Sequence, residues 1–329
     1  MSGQRWRNLA IQCVVMAALL LLLWLLLDTT AANLRERGIR SGFDFLFDPA
    51  GFAIGESLLP FDSGDTILWA LVVGLSNTLR VAVPAIVIST FIGTLIGLGR
   101  LSPNVLLRGL CAGYVESLRN VPLLLQLLAW YFVVTDWLPT ASEALQILPH
   151  VFLSKGGLAI PWLQVSGDHV ATPGWFDLPL RGELAVTGGA TLTPEFLALL
   201  LGLTLYTAAY VAETVRGGIR AVSLGQREAA LAMGFTRTQA FRLVLLPQAL
   251  RSIIPPLTNQ HLSLSKNASL AVAIGYPDLV SIANTTINQT GRAAECIAVI
   301  MAVYLALSLL TAGFSAWLEN RSGRWERTS

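Results

Sequence analysis

Lysine is almost missing from this chain of 329 residues: only Lys155 and Lys266 occur, and each follows a serine. A phosphate-cradling G-x-x-x-x-G-K-[ST] loop needs a lysine directly after glycine, so this chain does not hydrolyse ATP by itself. Histidine is nearly as scarce, at His150, His169 and His261, and no H-E-x-x-H or G-x-S-x-G pattern is present. The three cysteines, Cys13, Cys111 and Cys296, are far apart and odd in number, which argues against a disulfide framework or a zinc site. Charge is thin as well: 13% of residues are charged, against about 25% in an ordinary soluble domain. A net charge of +2, with no basic stretch interleaved with aromatics, gives no reason to expect a nucleic-acid partner.

What fills the sequence instead is apolar: 54% of residues are hydrophobic and the mean hydropathy is +0.62. So apolar a chain could hardly cover its surface in water, and runs of about 20 apolar residues point to an all-α integral membrane protein. Leu9–Leu27 is the first run, behind Arg5 and Arg7. Ala31-Ala32 could mimic a cleavage site, but a signal peptide usually has an apolar region of about 7–15 residues, so a retained span is favoured. Ile67–Leu98 would be roughly 48 Å as one helix, too long for a core of about 30 Å. It is read as an interfacial lead-in to Asn77 and a span from Thr78, with Arg80 snorkelling at its outer end. Further spans are expected near Val121–Leu138, Pro194–Val215, beyond Pro255-Pro256, and at Ala293–Trp317. Residues 139–193, rich in Pro and Gly, read as an external loop. With the N-terminus inside, fourteen arginines fall on the inner side against six basic residues outside, so both termini are expected in the cytoplasm.

One polar interruption stands out, REAALAMGFTRTQAFRLVLLPQAL at 227–250. It reads as two helices. Ser223 with Gln226 forms a capping box for the first, Gly234 stops it, and Thr236 with Gln239 repeats the device for a second that ends at Pro247. A helix this short needs a surface to dock on.

Glu228-Ala229-Ala230, Gly234, Val244, Leu246 and Pro247 match EAA-x3-G-x9-I-x-LP, with Val for the usual Ile. The segment resembles the EAA loop of ABC-transporter permeases. YVESLRNVPLLLQ (114–126), YTAAYVAETVRGGI (206–219) and SKNASL (265–270) resemble stretches of polar amino-acid permeases, and the longer external segments resemble the general L-amino-acid subgroup. The resemblance implies a type I ABC importer transmembrane domain of about six transmembrane helices at 66–320. This would carry a periplasmic insertion at 139–193 and a coupling region at 223–247, preceded by an extra helix and periplasmic segment (1–65) and followed by a tail (321–329). It implies that Glu228, Ala229, Ala230, Gly234, Leu246 and Pro247 couple the chain to an ABC ATPase dimer, where ATP and magnesium would be bound. This chain would bind no cofactor or metal and have no catalytic residue. A second, related permease chain, a periplasmic amino-acid-binding protein and membrane lipid are the other implied partners, in a bacterial inner membrane.

Spacing adds candidates of its own. Tyr206, Tyr210 and Glu213 share one helix face with Gly217, and a carboxylate in a span faces protein or a water-filled path. Glu213 can meet a substrate ammonium group, with the tyrosines lining the route, or pair structurally with Arg216. Glu116 and Arg119, ahead of Pro122, read as an ion pair. Lys266, beside Asn267, is either a path residue or a tie to a facing carboxylate, and His261 reads as a buried hydrogen-bonding residue. A stand-alone secondary transporter or channel is the alternative function, and it leaves the coupling segment unexplained. A membrane-embedded enzyme or a scaffold is weaker still.

Overall fold

A computed structural model describes residues 2–36, 42–163, 176–182 and 185–322. Arg37, Arg40, Asp168, His169 and the tail beyond residue 322 lie outside the described residues. The first apolar run lies inside one helix, α1 (Ser2–Glu36), whose side chains from Ile11 to Leu26 face outward. The expected break near Asn77 is absent: α2 is continuous from Ile67 to Gly99. Asn77 is fully buried and marks a tie rather than an interface. Its amide nitrogen donates to Glu56 O (2.8 Å) and Pro277 O (3.0 Å), while Oδ1 accepts from Leu58 N (3.2 Å). Arg80 does not snorkel either; it pairs with Glu56 at 2.6 Å and lies over the Phe196 ring.

After α2 come α3 (Val105–Asn120) and α4 (Leu123–Phe132), the latter prolonged by a π turn at Val133–Trp137. The chain bends by 103° between them. Pro122 forces this, because it has no N–H and pushes Val121 into extended backbone. Gln126 closes the corner by donating to Leu118 O and Val121 O.

The insertion at 139–193 is not a plain loop. It carries β1 (Leu145–Leu148), β2 (Val151–Ser154), β3 (Gly157–Ile160), β4 (Trp162–Leu163), β5 (Phe176–Asp177), β6 (Leu180–Arg181), β7 (Val186–Thr187) and β8 (Ala190–Leu192). Four of them form an antiparallel sheet in the order β1-β2-β3-β8. The Lys155-Gly156 turn between β2 and β3 is a two-residue hairpin followed by Gly157 at φ +110°.

Helix α5 (Pro194–Arg220) is the centre of the molecule. Thr193 caps it, accepting from Phe196 N, and Pro194 takes the first helical position, where its missing N–H costs nothing. It runs parallel to α2, and Gly93 and Gly97 let the two backbones meet. A Cβ on Gly93 would stand 2.6 Å from Val211 Cβ, and one on Gly97 would stand 2.7 Å from Ala212 O. The main core fills the space among α2, α4, α5 and the segment around 264–276, with Leu127, Leu199, Leu203, Leu264 and Tyr276 fully buried.

Helix α6 (Leu224–Ala232) and the short α7 (Arg237–Gln239) follow, then a π turn over Ala240–Leu245 and α8 (Leu246–Asn267). The second helix does not stop at Pro247, nor does a span begin after Pro255-Pro256. Pro247 sits in the first turn of α8, where no N–H is required, and the wide turn ahead of it absorbs the irregularity. A 3₁₀ segment (Ala268–Ile274), a bend at Gly275–Asp278, α9 (Leu279–Thr290) and α10 (Ala293–Ser322) complete the order. Asp278 caps α9 by accepting from Ser281 N. Among the described residues, α2, α5 and α10 are long and apolar enough to cross a membrane. Counting the bent α3–α4 and α7–α9 pairs as single spans gives five, and α1 carries a further apolar stretch, Ala10–Leu26.

Candidate functional site

Two features cluster at the end of the bundle where α2 and α5 finish. The first is the α6 elbow. Ser223 does not cap α6 through its side chain, contrary to its sequence pattern; only its carbonyl accepts, from Gln226 N. The helix is closed by Gly234 at φ +89°, a conformation that a side chain resists, with Phe235 N donating to Ala230 O and Gly234 N to Leu231 O. Beyond it the capping box of Thr236 and Gln239 is complete in both directions. Of the Glu228-Ala229-Ala230 run, only Ala230 is buried. Leu224 is 74% exposed and Met233 77%, and Leu231 is exposed as well. The elbow therefore presents an apolar face that none of the described residues covers. Leu246 and Pro247 stand at the base of the same unit, in the first turn of α8.

The second feature lies on α5. Tyr206 donates its hydroxyl to that of Tyr210 at 3.1 Å, and the rings lie tilted by 46° with centroids 4.9 Å apart. One turn on, both oxygens of Glu213 are engaged. Oε2 accepts from Arg100 Nη1 (2.5 Å) and Arg216 Nε (3.0 Å), and Oε1 accepts from Arg216 Nη2. The expected Glu116–Arg119 pair does not form. Glu116 lies 3.6 Å from Arg100, and the Arg119 guanidinium sits over the Tyr210 ring, 4.9 Å from its centroid. Spacing on α3 brings Glu116 and Arg119 to neighbouring positions, but the bundle offers each a better partner across it. Three guanidiniums around two carboxylates leave the cluster with an excess positive charge, and Arg119 forms no ion pair among the described residues.

The chain matches residues 85–324 to the family described as binding-protein-dependent transport system inner membrane component. It belongs to that family. Over 99% of its length, this permease is 39% identical to the general L-amino acid transport system permease protein AapQ of Rhizobium johnstonii, of which it covers 95%. It is 41% identical to the putative amino-acid ABC transporter permease protein YhdX of Escherichia coli, over 86% of each chain. Its structure matches that of an amino acid ABC transporter with histidines with a TM-score of 0.57 and 26% identity, over 77% of this chain and 94% of the other. The fold is that of type I ABC importer permeases. Relatives of this kind are transport subunits rather than enzymes, and they support an ABC permease over a stand-alone transporter.

The remaining candidates of this permease lie apart from the Glu213 cluster. Lys266 is exposed in the last turn of α8 and forms no ion pair among the described residues, so no facing carboxylate holds it. Its charge suits the carbonyl end of a helix. Asn267 is the residue at which α8 tightens into the 3₁₀ segment. His261 Nε2 lies 2.9 Å from Thr90 Oγ1, tying α8 to α2. Arg100 is the member of the cluster that sequence reasoning missed. It stands well outside the α5 motif, and only its place at the end of α2, parallel to α5, brings it to Glu213. No group of three or more metal-ligating side chains occurs among the described residues.

Proposed function

We propose that the chain is the membrane-spanning permease subunit of an ATP-driven uptake system that carries L-amino acids across a bacterial inner membrane. The α6 end faces the cytoplasm, both termini lie on that side, and the β-sheet faces the periplasm. The uncovered apolar face of α6, held rigid by Gly234 and the Thr236–Gln239 box, is the observation that carries this reading. It is the seat of an ABC ATPase dimer, which binds ATP and magnesium. A second, different but related permease completes the path, and a periplasmic amino-acid-binding protein delivers the substrate. The substrate class is supported by the amino-acid relatives.

The face of α5 bearing Tyr206, Tyr210 and Glu213 lines the path, with Lys266 and Asn267 bordering it further along. Because Glu213 is already neutralised by two guanidiniums, its part is to lock α5 to α2, and Arg119 is the charge left to meet a substrate carboxylate. Affinity purification of the tagged chain, followed by mass spectrometry and uptake in proteoliposomes, tests the proposal. An ATPase that accompanies the native chain and is lost with Gly234→Pro supports it. A chain that purifies alone and moves solute without ATP overturns it.

A further inference from the structure

Beside the start of α6, with Leu224 in its lining, lies a cavity of about 600 Å³. Its walls come from the ends of α2 and α5 and from the α6–α7 elbow. They are of two kinds. Leu98, Leu101, Ile219, Phe241 and Leu245 are its apolar lining, and Arg220, Arg227 and Arg237 line it as well. All three arginines are exposed, and none forms an ion pair among the described residues. Neighbouring arginines are used differently, since Arg100 and Arg216 are spent on Glu213. Three unneutralised cations around one hollow repel each other, and an anion relieves that.

The apolar part narrows the anion's identity. Phe91, Leu95 and Leu98 are exposed at i, i+4 and i+7, so a continuous apolar track descends one face of α2 from membrane depth into the cavity. A free phosphate has no use for such a track, whereas an acyl chain does.

We propose that this cavity binds one anionic phospholipid of the inner leaflet, its phosphate held by Arg220, Arg227 and Arg237 and an acyl chain laid along Leu98 and Leu95. The lipid would wedge the α6 elbow against the ends of α2 and α5, making it a structural part of the coupling unit. The proposal rests on the orientation proposed above. Basic side chains at an anionic leaflet contribute about a fivefold gain in binding each.

The test uses the purified transporter complex, exchanged into lipid containing phosphatidylglycerol and then into neutral lipid. Native mass spectrometry counts the phosphatidylglycerol retained. The wild type is expected to keep one tightly held copy per chain. Arg220→Gln with Arg237→Gln weakens its retention roughly 25-fold, taking about fivefold for each charge removed. Arg242→Gln, an exposed neighbour outside the cavity, leaves it unchanged, and Leu98→Ser weakens it without altering charge. Equal retention by all variants overturns the site, as does equal loss with Arg242→Gln, which would mean general surface attraction. Displacement by inorganic phosphate at similar concentration shows a free-anion site and overturns the lipid. Loss of the ATPase subunit from the double variant shows that the arginines seat that protein instead. Retention needs no transport activity, so a chain that keeps its lipid but has no ATPase partner would sink the proposed function and leave the lipid site standing.

Discussion

Arg100 at the end of α2 and Glu213 on α5 are joined by a charge-assisted hydrogen bond of 2.5 Å. The same carboxylate holds Arg216 on its own helix, two turns before α5 ends at Arg220 and the chain turns into α6. The triad therefore locks the parallel helices α2 and α5 together close to where the chain turns into α6. Both arginine side chains are 20% exposed or less, and Glu213 is 29% exposed, so water screens the tie only in part.

Glu213→Gln removes the charge and keeps the shape. A hydrogen bond to a charged group contributes about 2 kcal/mol, roughly a thirtyfold bias in any equilibrium that depends on it. Uptake is expected to fall by about that factor while the ATPase still co-purifies. Arg100→Gln should produce a similar loss, and the double variant should be no worse than either alone. Additive losses in uptake assays would mean that the two residues act separately.

The two N-terminal caps around α6 make opposite predictions from similar sequences. Thr236→Ala breaks a complete capping box and is expected to cost about 1 kcal/mol. Ser223→Ala removes a hydroxyl that caps nothing and should stay within about 0.5 kcal/mol of wild type. Thermal unfolding of the purified complex in detergent measures both. A larger loss for Ser223→Ala would show that its hydroxyl has a partner in the assembled transporter.

How legible each feature was depends on the range of the interaction that makes it. The α6 elbow was readable because its parts are local: Gly234 supplies a left-handed turn and Thr236 reaches only as far as Gln239. The shared face of Tyr206, Tyr210 and Glu213 follows from helical periodicity alone. Arg100 was not readable as Glu213's partner, because 113 residues separate them and only the parallel packing of α2 on α5 unites them. Asn77 misled for the same reason, as a buried polar residue whose acceptors, Glu56 O and Pro277 O, come from distant parts of the chain. Proline misled in a different way. Pro247, Pro255 and Pro256 suggested helix ends, yet packing carries α8 through them. The β-hairpin at 151–160 was hidden in a Gly-rich stretch whose strands are only four residues long.

The α2–α5 contact gives a prediction about packing rather than charge. A side chain at Gly97 must displace Ala212 O and Val215, and the backbone atom cannot yield as a flexible side chain would. Gly97→Leu is expected to cost about 1–3 kcal/mol as overpacking, and to weaken the Arg100–Glu213 tie one turn away. A lower midpoint in thermal unfolding, together with lost uptake, is the expected result. Gly113→Ala, where nothing stands within 4 Å of the new Cβ, is the matched control and should be silent.

At the opposite end of the bundle Glu56 ties the segment 42–66 to the helices as Glu213 ties α2 to α5. It accepts from Arg80 on α2 at 2.6 Å and from the Thr193 hydroxyl that starts α5, while its own carbonyl accepts from Asn77. Arg80 in turn lies 4.9 Å from the centroid of the Phe196 ring. With Glu56 11% exposed and Arg80 20%, removing one charge leaves the other poorly hydrated. Glu56→Ala is expected to destabilise the protein by about 3 kcal/mol, the lower end for a broken buried pair. Pairing it with Arg80→Met should restore much of the loss, because the orphaned charge is then gone. The segment 42–66 would also come loose in Glu56→Ala, so limited proteolysis from the sheet side should cleave it faster than in wild type. If the double variant is as unstable as Glu56→Ala, the carboxylate is needed by Thr193 and not by Arg80.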